Sequence, residues 1–151
     1  MYTKILVPVD GSETSVRGLQ HAILLAKDQK AALRVLHVVH DYFVAEGRHG
    51  LAKSAELLKE LREHGQTILA EAAASARNAG VAADTEIVES PMGPVGAAIA
   101  ESAERWPADL VVIGTHGRRG IRRLVMGSDA EYVVRTTRVP VLLVRGTEAP
   151  R

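Results

Sequence analysis

Leu110-Val111-Val112-Ile113 is an apolar run with no polar position, and it ends directly on Gly114-Thr115-His116-Gly117-Arg118-Arg119-Gly120. Side chains alternate between faces along a strand, so such a run is buried on both sides, as in a parallel sheet covered by helices above and below. Three glycines in seven residues follow it. Glycine accepts positive φ and lets another group approach the backbone, so a loop of this kind can turn its N–H groups towards a phosphate. Gly127-Ser128 then precedes a helical pattern, whose N-terminus offers further unpaired donors and partial positive charge. The stretch reads as an anion site in two pieces.

The rest of the chain supplies the sheet that this strand needs. Ile5-Leu6-Val7-Pro8-Val9 is a first strand ending at the turn Asp10-Gly11-Ser12. From Glu13 the spacing becomes helical, with Val16, Leu19, Ile23 and Ala26 on one face and Arg17, Gln20 and Lys27 towards water. Leu33 to Val39 returns to strand character, which completes a β-α-β unit and implies parallel pairing with a right-handed crossover. Residues His40 to Leu51 are the least patterned and predict a long loop of unassigned role. A helix is expected from about Ala52 to Asn78, with Leu58, Leu61, Ile68, Leu69, Ala72 and Ala76 at core spacing; Gly65 inside it costs about 1 kcal/mol relative to alanine. Thr85 to Val88 is a polar, edge-like strand, and Pro91, Gly93 and Pro94 precede a helix carrying Val95, Ile99, Ala103 and Trp106 that Pro107 closes. Ser128 and Glu131 have capping-box spacing for a last helix ending near Arg138. Pro140 to Val144 is the fifth strand.

This alternation predicts an α/β three-layer fold. With 151 residues and 46% hydrophobic content, one domain over residues 1–146 is expected, followed by a frayed tail at 147–151. Lysine and arginine total 19 against 18 aspartates and glutamates, so no global field draws the chain to nucleic acid or an anionic membrane. Cysteine is absent, which excludes disulfides, thiolate metal sites and thiol catalysis. With neither a signal-peptide pattern nor a long apolar span, the expectation is a cytoplasmic protein.

The run Ile5 to Ser12, the pair His37-Val38, the spacing Gly114-x2-Gly117-x9-Gly127-Ser128 and the closing Val139-Pro140-Val141-Leu142-Leu143-Val144 together resemble the universal stress protein family over essentially the whole chain. The glycine spacing matches the signature of its ATP-binding branch. The resemblance implies a five-stranded parallel sheet of order 3-2-1-4-5, a Rossmann-like arrangement of the adenine-nucleotide α-hydrolase type. Nucleotide would lie over the carboxyl ends of strands one and four, where strand order reverses and the connecting loops diverge. By the same resemblance, Pro8, Val9 and Asp10 meet base and sugar, and Val38 lines the adenine pocket. Ile113, Gly114, Thr115, His116 and Gly117 surround ribose and phosphates, with Gly127, Ser128 and Asp129 at the phosphate tail. ATP, ADP or AMP is the implied ligand. Mg2+ would be held through the phosphates and water, without an assigned protein ligand.

Several of these residues also have purely structural readings. Asp10 stands three residues before Glu13 and suits a helix cap, the glycines suit turns, and Ser128 suits an N-cap. Asp129 favours the helix dipole but would repel a triphosphate if turned into the site. His116 has no recognisable nucleophile or carboxylate paired with it, so no catalytic residue is assigned. Arg118, Arg119, Arg122 and Arg123 form a local positive patch suited to phosphates. Five aromatic residues are too few for an evident nucleic-acid stacking platform. There is no G-x-x-x-x-G-K-[ST] and no G-x-G-x-x-G. The expected function is a nucleotide-dependent stress or signalling module; the alternative is a slow ATP hydrolase or self-phosphorylating protein. The last strand, Val139 to Val144, is apolar yet at a sheet edge, which predicts a homodimer through that strand.

Overall fold

A computed structural model describes residues 1–40, 51–90, 92–116 and 126–146, with backbone alone for 51–53. Residues 41–50, Pro91, Gly117 with the arginine patch, and the tail at 147–151 lie outside the described residues. The elements run β1 (Lys4–Pro8), α1 (Glu13–Gln29), β2 (Ala32–Val39), α2 (Leu51–Asn78), β3 (Ala83–Glu89), α3 (Val95–Arg105), β4 (Leu110–Gly114), α4 (Ser128–Thr136) and β5 (Val141–Val144). The strands form one parallel sheet in the order β3-β2-β1-β4-β5.

β4 shows why its run has no polar position. Leu110 and Val112 enter the core beneath α1 and α2, whereas Val111 and Ile113 enter the core beneath α3 and α4. All four are almost fully buried, and each contributes about 1.5–3 kcal/mol by leaving water. β1 divides its residues in the same way, with Ile5 and Val7 on one side and Leu6 on the other. The edge position expected for β3 is borne out. Its polar Glu86 accepts from Ser102 Oγ at 2.6 Å, which satisfies a hydroxyl that is itself fully buried.

Local detail differs from expectation in five places. Val16 is 46% exposed, because the buried stripe of α1 runs through Ser15, Gly18, Leu19, Ala22, Ile23 and Ala26. Leu58 and Leu61 are only half-buried, since the core contact of α2 lies further along at Ile68, Leu69, Ala72 and Ala76. The N-cap of α1 is Ser12, whose hydroxyl accepts from Ser15 N at 3.3 Å. That of α4 is Gly127, with no side-chain cap, so Ser128 is the first helical residue and no capping box forms. The last helix also ends at Thr136, before Arg138, and Thr137 is already extended ahead of β5.

The sheet is fastened at its amino end by Asp109, just before β4. Its carboxylate accepts from Thr3 N at 2.8 Å, Thr3 Oγ1 at 2.7 Å and Lys4 N at 2.9 Å, and Asp109 N donates to Lys4 O at 2.9 Å. Desolvation pushes this carboxyl upward, but the bonds from the Thr3 hydroxyl and from the Lys4 and Thr3 amides outweigh it and hold the pKa below the usual carboxylate value. A depressed folded-state pKa contributes stability above the unfolded value, and that contribution is lost as pH falls through the folded one. Asp109→Asn is therefore expected to lower the urea midpoint at neutral pH, with the deficit shrinking below about pH 4. A deficit that stays constant down to acid pH would show that the clamp is not electrostatic.

Candidate functional site

At the carboxyl ends of the strands, β1 pairs with β2 on one side and β4 on the other, so the chains leaving β1 and β4 part above the sheet. A cleft of about 470 Å3 opens there, within the size range of small-molecule sites, about 300–1,000 Å3. Pro8, Val9, Asp10 and Val38 border it from the β1–β2 side. Ile113, Gly114, Thr115 and His116 border it from β4, and Gly127, Ser128 and Asp129 from the start of α4. Every residue that the resemblance assigns to the nucleotide thus borders one cavity, apart from Gly117, which lies outside the described residues together with Gly120 and the four arginines.

The β1 side is shaped by a tight turn. Gly11 has φ +81°, and the Asp10 carboxylate accepts from Ser12 N at 2.8 Å, so Asp10 braces the turn while Ser12 caps the helix. Asp10 N in turn donates to Ser15 Oγ at 3.3 Å. The structural role read for Asp10 is real, but it belongs to the turn and not to the cap.

On the β4 side the glycines serve close approach, and the groups that approach are the protein's own. A Cβ at Gly114 would lie 2.8 Å from the carbonyl of Thr14 in the first turn of α1. One at Gly127 would lie 2.9 Å from Thr115 O. Gly127 N donates to Thr115 O at 2.6 Å, which closes the base of the loop, and Thr115 N donates to Val144 O at 2.9 Å. The Thr14 hydroxyl donates to His116 O, joining the same loop to α1. At α4, Glu131 N donates to Gly127 O, while the amides of Ser128, Asp129 and Ala130 belong to the first turn, where helical partners are lacking. All three residues border the cleft. Such a group of donors favours an anion.

The structure adds a wall that sequence reasoning missed. His37, Val39 and His40 from β2 and its exit, with Leu61 and His64 from α2, border the cleft, and Val95 and Ile99 of α3 close its apolar floor. His37 is buried, and its Nδ1 donates to Val9 O at 2.8 Å. Gly65 is the reason that α2 can lie over it: a Cβ there would stand 2.5 Å from His37 Cδ2. The signal in the sequence was Gly65 itself, a glycine inside an otherwise helical pattern. Among the described residues, no group of three or more histidines, aspartates or glutamates is placed to hold a metal ion. No described helix is long and apolar enough to cross a membrane.

The family profile described as "Universal stress protein family" matches residues 1–145. A universal stress protein of Methanocaldococcus jannaschii is 39% identical over 96% of this chain and 83% of its own length. The solved structure of another M. jannaschii universal stress protein superposes with a TM-score of 0.85 at 26% identity, covering 99% of each chain. A universal stress protein solved in complex with cAMP gives a TM-score of 0.70 at 25% identity, over 98% of this chain and 99% of its own.

The Gly65–His37 contact can be tested by stability. Helix propensity favours Gly65→Ala by about 1 kcal/mol. Overpacking against the imidazole costs about 1–3 kcal/mol and is expected to win. Urea denaturation should show a lower midpoint for the variant; a raised midpoint would mean that the ring moves aside without cost.

Proposed function

We propose that this chain, which belongs to the universal stress protein family, is an adenine-nucleotide-binding module of the cytoplasm. Its bound nucleotide biases its conformation or partner choice in a stress response. The observation that carries this reading is the division of the cleft. An apolar end formed by Val38, Val39, Val95, Ile99 and Ile113 suits a base, and the first turn of α4 beside Thr115 and His116 suits an anion. The cAMP complex of a related protein supports a ligand of this class. In this reading, residues 1–146 form one domain, Asp10 meets the ribose, and Gly117, Gly127, Ser128 and Asp129 lie along the phosphates. Mg2+ would be carried by the phosphates, since the described residues offer no set of ligands for it.

Phosphoryl transfer requires a positioned water or hydroxyl in addition to charge stabilisation. The charge is supplied by the first turn of α4, but the sequence pairs no recognisable base with a hydroxyl, and binding without appreciable turnover is preferred over slow ATP hydrolysis or self-phosphorylation. Gly127→Val should weaken ATP and AMP binding by about tenfold or more in titration calorimetry, with circular dichroism unchanged. Unchanged affinity would contradict the assignment of the loop. ATP should be retained without ADP release, and turnover abolished by Ser128→Ala would overturn the preference for a non-catalytic module.

β5 leaves one edge of the sheet open, with Leu142 38% and Leu143 36% exposed, and such an edge favours pairing with a second copy. Light scattering at micromolar concentration should give twice the 16.2 kDa chain mass, and Leu142→Lys should reduce it. A clean monomer for the unmodified protein would remove the dimer from this account.

A further inference from the structure

We infer that Gly96 is a positioning residue for the phosphate end of the cleft, because it lets α3 and α4 cross closely enough to hold the first turn of α4 at the ligand. The inference rests on the nucleotide reading above and adds a residue, outside the lining, that sets how strongly phosphate is preferred over the bare nucleoside. Gly96 is the second residue of α3 and is buried. A Cβ there would stand 2.6 Å from Tyr132 Cβ, 3.0 Å from Tyr132 Cγ and 3.0 Å from Asp129 O, all in α4. Carbon atoms pack best at about 3.5–4.0 Å, so the shortest contact is too close by roughly 1 Å. None of the three atoms ends a flexible side chain. A carbonyl and a Cβ move only with their helix, so a side chain at position 96 would be accommodated by parting the two helices.

The weaker anchorage decides which helix yields. α3 buries five residues, and its Ser102 Oγ donates to Glu86 of β3 at 2.6 Å. α4 buries two, Ala130 and Val133, so α4 is the one displaced. The crossing lies beside the cleft. Val95, immediately before Gly96, and Ile99, three residues after it, border the cleft from α3, while Ser128, Asp129 and Ala130 border it from α4. Binding constellations hold their geometry to about 0.5 Å, less than the displacement a Cβ would force. The amides of the first turn of α4 travel with that helix and carry the anion end with them. Val38 and Val39 of β2 and Ile113 of β4 belong to the sheet, and Val95 and Ile99 to the anchored α3, so the base end stays in place. A side chain at position 96 therefore acts on the phosphate and spares the base.

The test measures AMP and adenosine binding to the folded protein by titration calorimetry. Gly96→Ala should bind AMP about tenfold more weakly, the scale of one hydrogen bond to a charged group, while adenosine affinity changes by less than about twofold. Tyr132→Gly removes both Tyr132 atoms from the contact, so the Gly96→Ala/Tyr132→Gly double variant should regain most of the preference for AMP. A merely structural role for Gly96 would lower both affinities together. That outcome, an unchanged AMP affinity, or a double variant no better than the single one would overturn the proposal while leaving nucleotide binding intact, as would equal affinity of the unmodified protein for the two ligands. Should Gly96→Ala alone not fold, the double variant must fold and prefer AMP as the unmodified protein does; one that does not fold, or lacks that preference, overturns the proposal equally. Failure of the unmodified protein to bind either ligand would overturn the nucleotide reading and this inference with it.

Discussion

The cleft depends on the contact between the first turn of α1 and the last residue of β4. Gly114 lets the backbone of Thr14 come so close that a Cβ would stand 2.8 Å from its carbonyl, and the Thr14 hydroxyl then holds His116 O. The turn carrying Asp10 and the loop carrying Thr115 are thereby fixed to one another. Thr115 is also bonded to Val144 of β5 and to Gly127 before α4. The two halves of the site and the open edge of the sheet are therefore joined by one set of hydrogen bonds, the Thr14 hydroxyl to His116 O and the backbone bonds of Thr115.

The fold was legible because burial on both faces leaves an unambiguous mark. Leu110 to Ile113 read as a two-sided strand, and each face met its own core. The polar β3 read as an edge and was one. Legibility failed where several local choices compete within a few residues. Ser12 and Asp10 both carry side chains that can accept from an amide near the start of α1, and only the turn at Gly11 decides between them. Ser128 and Glu131 have the right spacing for a capping box, but the helix begins one residue earlier than that pattern requires, at the bond from Glu131 N to Gly127 O. Val16 fell outside the buried stripe because Ser15 and Gly18 face the sheet in its place.

The site was legible on one side and hidden on the other. Its β4–α4 half is contiguous in sequence and dense in glycine. The α2 wall depends on where a long helix crosses β2, which no local pattern states, and Leu61 and His64 gained a place in the cleft only through the Gly65–His37 contact.

The central claim is that this cleft is an adenine-nucleotide site. The most direct measurement is to purify the protein without added nucleotide, release whatever it retains by denaturation, and identify and quantify it by mass spectrometry. The account predicts an adenine nucleotide in near-stoichiometric amount, or, if none survives purification, saturable uptake of one on addition. A protein that carries none and takes up none would contradict it.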